Sequence, residues 1–120
     1  AVEKGTFSTD GRTPSTDDAR VQFVKGWFQD SLPGFLETFE RGNRLVVHLD
    51  ADIYTSTLFC LTRLDPLFRE GDLLVFDEFA CVNHEFRALE DYLGAYMRGA
   101  TLLAATPRYN QVAFAWKEKA

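Results

Sequence analysis

Two short apolar runs constrain this chain more than anything else in it: residues 45–49 (LVVHL) and 73–76 (LLVF), each ending abruptly in acid. Both are too short for helices, and a near-continuous apolar run, rather than an alternating one, belongs to a strand covered on both faces of a parallel sheet. The first run stops at Asp50 and Asp52, the second at Asp77 and Glu78. Between them Thr55 or Ser56 can start a helix whose apolar positions, Leu58, Leu61, Leu64, Leu67 and Phe68, lie three and four apart before Glu70 and Gly71 break it.

The alternation extends to either side. Val21, Phe23 and Val24 read as a short strand ending at Gly26. Asp30 or Ser31 can cap the next helix, with Pro33 in its first turn and Phe35, Leu36 and Phe39 at helical spacing until Gly42. Asn83 can cap a third helix, with Phe86, Leu89, Tyr92, Leu93, Tyr96 and Met97 turned inward and Gly99 closing it. Residues 101–106 (TLLAAT) and 111–116 (QVAFAW), joined by PRYN, read as two strands and a tight reversal. Strand and helix three times, then a hairpin, predicts an α/β fold with a mostly parallel sheet and a C-terminal antiparallel hairpin. Ligands of such sheets bind beyond the carboxyl ends of the strands, an edge that would collect residues 27–30, 50–54 and 77–79.

A chain of 120 residues supports one core, with residues 1–20 as a polar surface arm and 21–120 as the folded part. Thirteen basic against eighteen acidic residues, a formal charge of -5, leave no positive field for a nucleic-acid backbone. No uncharged run is long enough to cross a membrane, and the first residues lack a signal-peptide pattern. Cys60 and Cys81, without metal-ligand spacing, read as free thiols of a reducing compartment, so the expected location is the cytoplasm. Arg41 and Arg44 read as a solvated basic face. No glycine-rich nucleotide fingerprint and no serine nucleophile elbow is present.

Chemistry therefore rests on the acids. Asp50, Asp52, Asp77 and Glu78 can enter one cleft, where like charges call for a cation or for widely separated proton affinities. Oxygen-only ligands suit Mg²⁺, with Mn²⁺ or Ca²⁺ as alternatives. The competing reading is that these are ordinary strand-end acids that cap helices or face water. His48, inside a strand, reads as a packed residue, and His84 as a surface or cap residue. Trp27, Phe28, Tyr54 and Phe79 are candidates for a ligand wall.

Residues 46–79 (VVHLDADIYTSTLFCLTRLDPLFREGDLLVFDEF), preceded by 24–36 (VKGWFQDSLPGFL) and followed by 85–92 (EFRALEDY), resemble the macrocin O-methyltransferase family. Those are S-adenosylmethionine-dependent enzymes that methylate sugars of macrolide and aminocoumarin antibiotics. The resemblance implies a Rossmann-like methyltransferase sheet, S-adenosylmethionine as methyl donor, Mg²⁺ beside it, and a sugar or other small-molecule hydroxyl as acceptor. By position it makes Asp50 the general base and Asp52, Asp77 and Glu78 the metal ligands, Glu78 standing where the antibiotic enzymes commonly have Asp. It places Gly26, Trp27, Phe28 and Asp30 at the adenine side of the donor pocket, and Tyr54, His84 and Arg87 toward the acceptor.

The resemblance also implies that the first two strands of the family's sheet, with their glycine-rich loop and ribose-binding acid, are missing, and that they would lie between the strand at 21–24 and the one at 45–49. The expectation is that 21–120 is the C-terminal part of a class I methyltransferase domain, partnered by the missing N-terminal part or by a second copy, and without donor affinity alone. Two rival readings remain. An acidic-triplet phosphatase or glycosyltransferase could use Asp50-Ala51-Asp52, although Tyr54 stands where a phosphatase wants Thr or Val. A non-catalytic interaction or dimerisation fragment would use its exposed sheet edge.

Overall fold

The structure is a computed structural model and describes residues 3, 6 and 8–120. Residues 8–27 carry neither helix nor strand. The order from there is α1 (Phe28–Thr38), β1 (Val46–Leu49), α2 (Tyr54–Leu64) with a 3₁₀ turn (Asp65–Leu67), β2 (Leu73–Phe76), α3 (Glu85–Tyr96), β3 (Gly99–Ala105), a second 3₁₀ turn (Pro107–Tyr109) and β4 (Val112–Lys117).

The four strands form one sheet in the order β1-β2-β4-β3. β1 and β2 are parallel, with Leu49 opposite Phe76, while β4 runs against both β2 and β3. Three strands thus share one direction and β4 alone is reversed. The chain advances from β1 to β2 and then over β4 to β3, always the same way across the sheet. Right-handed crossovers taken in one direction put their helices on one face. Leu49, Leu74, Phe76, Val112 and Trp116 accordingly meet Leu61 of α2, Leu89 and Tyr92 of α3, and Phe68 and Phe79 in a single apolar cluster.

That topology corrects the expectation of two covered faces. On the opposite face Val46 is 56% exposed and His48, read as packed, is open to solvent. Nor do Val21, Phe23 and Val24 form a strand: all are about half exposed and pair with none of the four strands. Apolar alternation proposes a strand, but only a ladder partner makes one. Helix α1 starts earlier than its polar residues suggest, at Phe28, so Pro33 lies in its second turn rather than its first. Ser31 Oγ instead donates back to the Trp27 carbonyl at 2.9 Å.

Two acids brace the core. Asp72, just before β2, accepts from both nitrogens of the Arg41 fork at 2.6 and 2.8 Å and from the amides of Leu45 and Arg69. Arg41 is therefore buried in an ion pair and does not belong to a solvated patch. Asp65 accepts from the Tyr92 hydroxyl at 2.7 Å and from Arg98 at 3.0 and 2.9 Å, and the Trp116 indole donates to that same hydroxyl at 2.9 Å. Burial pushes both carboxyls up, but the hydrogen bonds and arginine charges outweigh it and hold both below the usual carboxylate range.

Candidate functional site

The register of β1 on β2 determines where the acids emerge. Leu49 and Phe76 are opposite one another, and the Asp77 amide continues the ladder by donating to the Leu49 carbonyl at 3.0 Å. Asp50 and Asp77 therefore leave the sheet side by side, at the carboxyl edge where the expectation placed them. Asp52 and Glu78 follow in left-handed backbone, with φ of 61° and 47°. That region is costly for a residue with a Cβ, more so for Glu than for Asp, and such strain tends to collect at functional turns.

The chain then parts the candidates. Phe79 donates its amide to the Asn110 carbonyl at 2.8 Å, and its ring packs on Phe76, Phe86 and Phe114. It is core, and no ligand wall. Asp77 is half-buried and accepts from Gln111 of the β3–β4 connection at 2.9 Å. Asp50, Asp52 and Glu78 are exposed. Among the described residues, no three His, Cys, Asp or Glu side chains are gathered closely enough to hold a metal ion. Asp52, Asp77 and Glu78 have the donor chemistry for Mg²⁺ or Mn²⁺ but not the arrangement.

Two of the residues expected toward the acceptor are brought together. Arg87 of α3 lies over the Tyr54 ring at 4.7 Å, and both reach Asp91, Tyr54 by a 2.6 Å hydrogen bond and Arg87 at 3.7 Å. The bond to Asp91 raises the Tyr54 phenol, with burial adding to it. His84 precedes α3 without making a side-chain cap bond; its backbone amide donates to the Cys81 carbonyl, and its ring Nδ1 is shielded from water without a hydrogen-bond partner.

The residues expected on the donor side stand apart, around the start of α1. Gly26 has φ 136°, Trp27 is 74% exposed, and Phe28 and Asp30 sit in the first helical turn. Phe28, Leu32, Phe35 and Phe39 line an open apolar groove of about 530 Å³ with Val24 and Arg20. Among the described residues these donor-side positions share no hydrogen bond with the acids.

One residue of the site is absent from the sequence reading. Glu85, the first residue of α3, is 1% exposed, and its Oε2 accepts the Thr57 hydroxyl at 2.6 Å. Burial, with Asp52 as a lesser contributor, pushes its carboxyl up; the Thr57 hydroxyl and the Ala51 and Asp52 amides oppose this and do not overcome it. The signal for it lies in periodicity: Glu85, Ala88, Leu89 and Tyr92 are the buried stripe of α3, so an acid stands on the apolar side of an amphipathic helix. Of the two thiols, Cys60 is buried and pushed up to about 11, too high for a nucleophile at neutral pH.

Comparison with known proteins adds a second line of observation. The family model described as Macrocin-O-methyltransferase (TylF) matches residues 5–103. The 8-demethyl-8-(2,3-dimethoxy-alpha-L-rhamnosyl)-tetracenomycin-C 4'-O-methyltransferase of Streptomyces olivaceus is 37% identical over 79 residues, covering 66% of this chain and 28% of that protein. The mycinamicin III 3''-O-methyltransferase of Micromonospora griseorubida is 35% identical over 75 residues, 58% of this chain and 28% of its own. The demethyldecarbamoylnovobiocin O-methyltransferase of Streptomyces niveus is 36% identical over 62 residues, 52% and 22%. In three dimensions the solved structure of the O-methyltransferase NovP superposes with a TM-score of 0.65 at 27% identity, over 86% of this chain and 39% of that one. The chain spans less than a third of the length of the curated relatives it matches. No helix among the described residues is long and apolar enough to cross a membrane.

Proposed function

The chain belongs to the macrocin O-methyltransferase family, and on that footing we propose that the protein it represents moves a methyl group from S-adenosylmethionine to a hydroxyl of a sugar-bearing small molecule. The observation that carries this reading is the pair of parallel strands, β1 and β2, that deliver Asp50 and Asp77 side by side at the carboxyl edge of the sheet within the matched segment. The acidic-triplet phosphatase reading has no comparable support.

Methyl transfer asks little covalent work of the protein. The acceptor oxygen attacks the sulfonium methyl, the carbon–sulfur bond breaks with its electrons going to sulfur, and the hydroxyl proton must leave. Asp50, exposed at the strand end, is the base that takes that proton. Tyr54 and Arg87, already stacked on one another, offer an aromatic face and a hydrogen-bond donor to the acceptor, and His84 stands at the head of the helix that carries Arg87. The sugar class is drawn from the relatives, one of whose names specifies a rhamnosyl-bearing acceptor. Residues 26–30 contribute to the donor side. Asp52, Asp77 and Glu78 carry the oxygen donors that would hold Mg²⁺ or Mn²⁺, which would polarise the acceptor hydroxyl, but among the described residues they do not gather into a three-ligand set.

The decisive assay is methyl transfer by the whole enzyme that contains this chain, with a glycosylated polyketide or aminocoumarin as acceptor. Asp50→Asn is expected to lower kcat by about 10²- to 10⁴-fold. Unchanged turnover removes Asp50 from the reaction, and turnover insensitive to chelator and to Asp77→Asn removes the metal assignment. Calorimetric titration of the 120-residue chain with S-adenosylmethionine is expected to show no sub-millimolar binding.

A further inference from the structure

Of the four acids at the carboxyl edge of the sheet, Asp77 alone is held by another side chain. Gln111 Nε2 donates to its Oδ1 at 2.9 Å, and among the described residues no other side chain hydrogen-bonds to Asp50, Asp52, Asp77 or Glu78. The direction of that bond follows from chemistry: an ionised carboxylate only accepts, so the NH₂ of the carboxamide faces it.

Gln111 is placed by its backbone. β4 runs against β2 with Val112 opposite Phe76, so the connection from β3 enters β4 at the edge where β2 ends. Thr106 closes that connection: its Oγ1 accepts the Gln111 amide at 2.8 Å, and its own amide donates to the Gln111 carbonyl at 2.9 Å. On the other side the Asp77 and Phe79 amides donate to the Leu49 and Asn110 carbonyls at 3.0 and 2.8 Å. Both ends of the side-chain bond therefore spring from tied backbone, and only the Gln111 rotamers remain to be frozen.

Stability does not call for this bond. Gln111 is exposed, and the Phe79 amide already ties residues 77–79 to the connection. The acids that brace the core, Asp65 and Asp72, are met by arginines. Asp77 meets a neutral amide, which fixes one oxygen, cancels none of the charge and leaves Oδ2 without a hydrogen bond among the described residues. A carboxylate held but not neutralised suits a group that must present its charge in one direction.

We propose that Gln111 is a positioning residue: its carboxamide fixes the Asp77 carboxylate beside Asp50 at the end of β2, with its charge intact and Oδ2 left free for the reacting groups. The catalytic consequence rests on the methyl-transfer reading above. The tether itself does not, and the test has one arm for each.

In the whole enzyme, Gln111→Met, similar in length and without a donor, is expected to lower kcat about tenfold while acceptor KM stays within about twofold and Tm is unchanged. Gln111→Lys restores a donor but neutralises Asp77, and is expected to lose at least as much. A lysine variant as active as the wild type, or a kcat loss that appears only with a fallen Tm, overturns the proposal. Turnover that ignores Gln111→Met also overturns it; if Asp77→Asn is ignored as well, the role given to Asp77 falls with it. In enzyme carrying isotope-labelled glutamine, the side-chain amide signals of Gln111, assigned by their loss in Gln111→Met, are expected to move upfield in Asp77→Ala, because the carboxylate draws the donated proton downfield. Signals that ignore Asp77→Ala overturn the proposal whatever the activity. A wild type that transfers no methyl group but shows the shift defeats the functional reading and leaves the tether standing.

Discussion

Asp65 and Glu85 are both almost out of water, one at the C-terminal end of α2 and the other at the head of α3, yet their surroundings could hardly differ more. Asp65 has an arginine fork, a phenol and, one bond further, an indole. Glu85 has one threonine. A chain able to bury an acid well has buried the second one badly, with one carboxyl oxygen left unpartnered. The contrast separates an acid retained for stability from one retained at the expense of stability.

Four measurements can break or sharpen that contrast. Asp65→Ala should have the largest effect, a loss of about 2–4 kcal/mol in denaturant unfolding, since it leaves the buried Tyr92 phenol without its acceptor and the half-buried Arg98 without its ion-pair partner. A loss below 1 kcal/mol would make the Asp65 network decorative and void the comparison. Tyr92→Phe comes next, at about 1–2 kcal/mol, because it removes the hydroxyl that joins Asp65 to the Trp116 indole and leaves both underfilled.

The third measurement is the pH dependence of stability. Asp65 is held below its ordinary value of 3.8, so its contribution is present above that value and is lost as pH falls through the folded one. Glu85 is held above its ordinary value of 4.5, so its contribution is full below 4.5 and disappears as pH rises through the folded value. Thermal melts from pH 3 to pH 8 should therefore flatten on the acid side in Asp65→Asn and on the neutral side in Glu85→Gln; the same change in both would mean the two acids are not opposites. The smallest effect belongs to Glu85→Met, expected within about 1 kcal/mol of the wild type at neutral pH, because the lost hydrogen bond is offset by relief of a buried charge.

The fold was legible where the signal was local and strong. Residues 73–76 announced β2 to the residue, and β1 was one residue shorter than its apolar run. Residues 21–24 carry an equally respectable pattern and form no strand, because strand formation depends on a neighbour that pattern alone cannot supply. The acidic edge was readable from the way both runs end, whereas the stacking of Arg87 on Tyr54 depends on how α2 and α3 pack. The fate of Phe79 was not readable, since a backbone bond to Asn110, thirty-one positions away, turns it inward. Glu85 escaped notice because a first-turn acid usually satisfies a helix dipole from the surface; its place on the buried stripe needed the helix phase to be weighed against its charge.

The left-handed turns at Asp52 and Glu78 bear on how this chain would evolve under artificial pressure. Glycine at either position would release backbone strain of roughly 1 kcal/mol and remove a charge from a crowded edge. A library selected only for soluble, heat-resistant protein should therefore enrich glycine codons at 52 and 78, while one selected for methylated product should purge them. The divergence of the two populations at those codons would report which acids the chemistry retains.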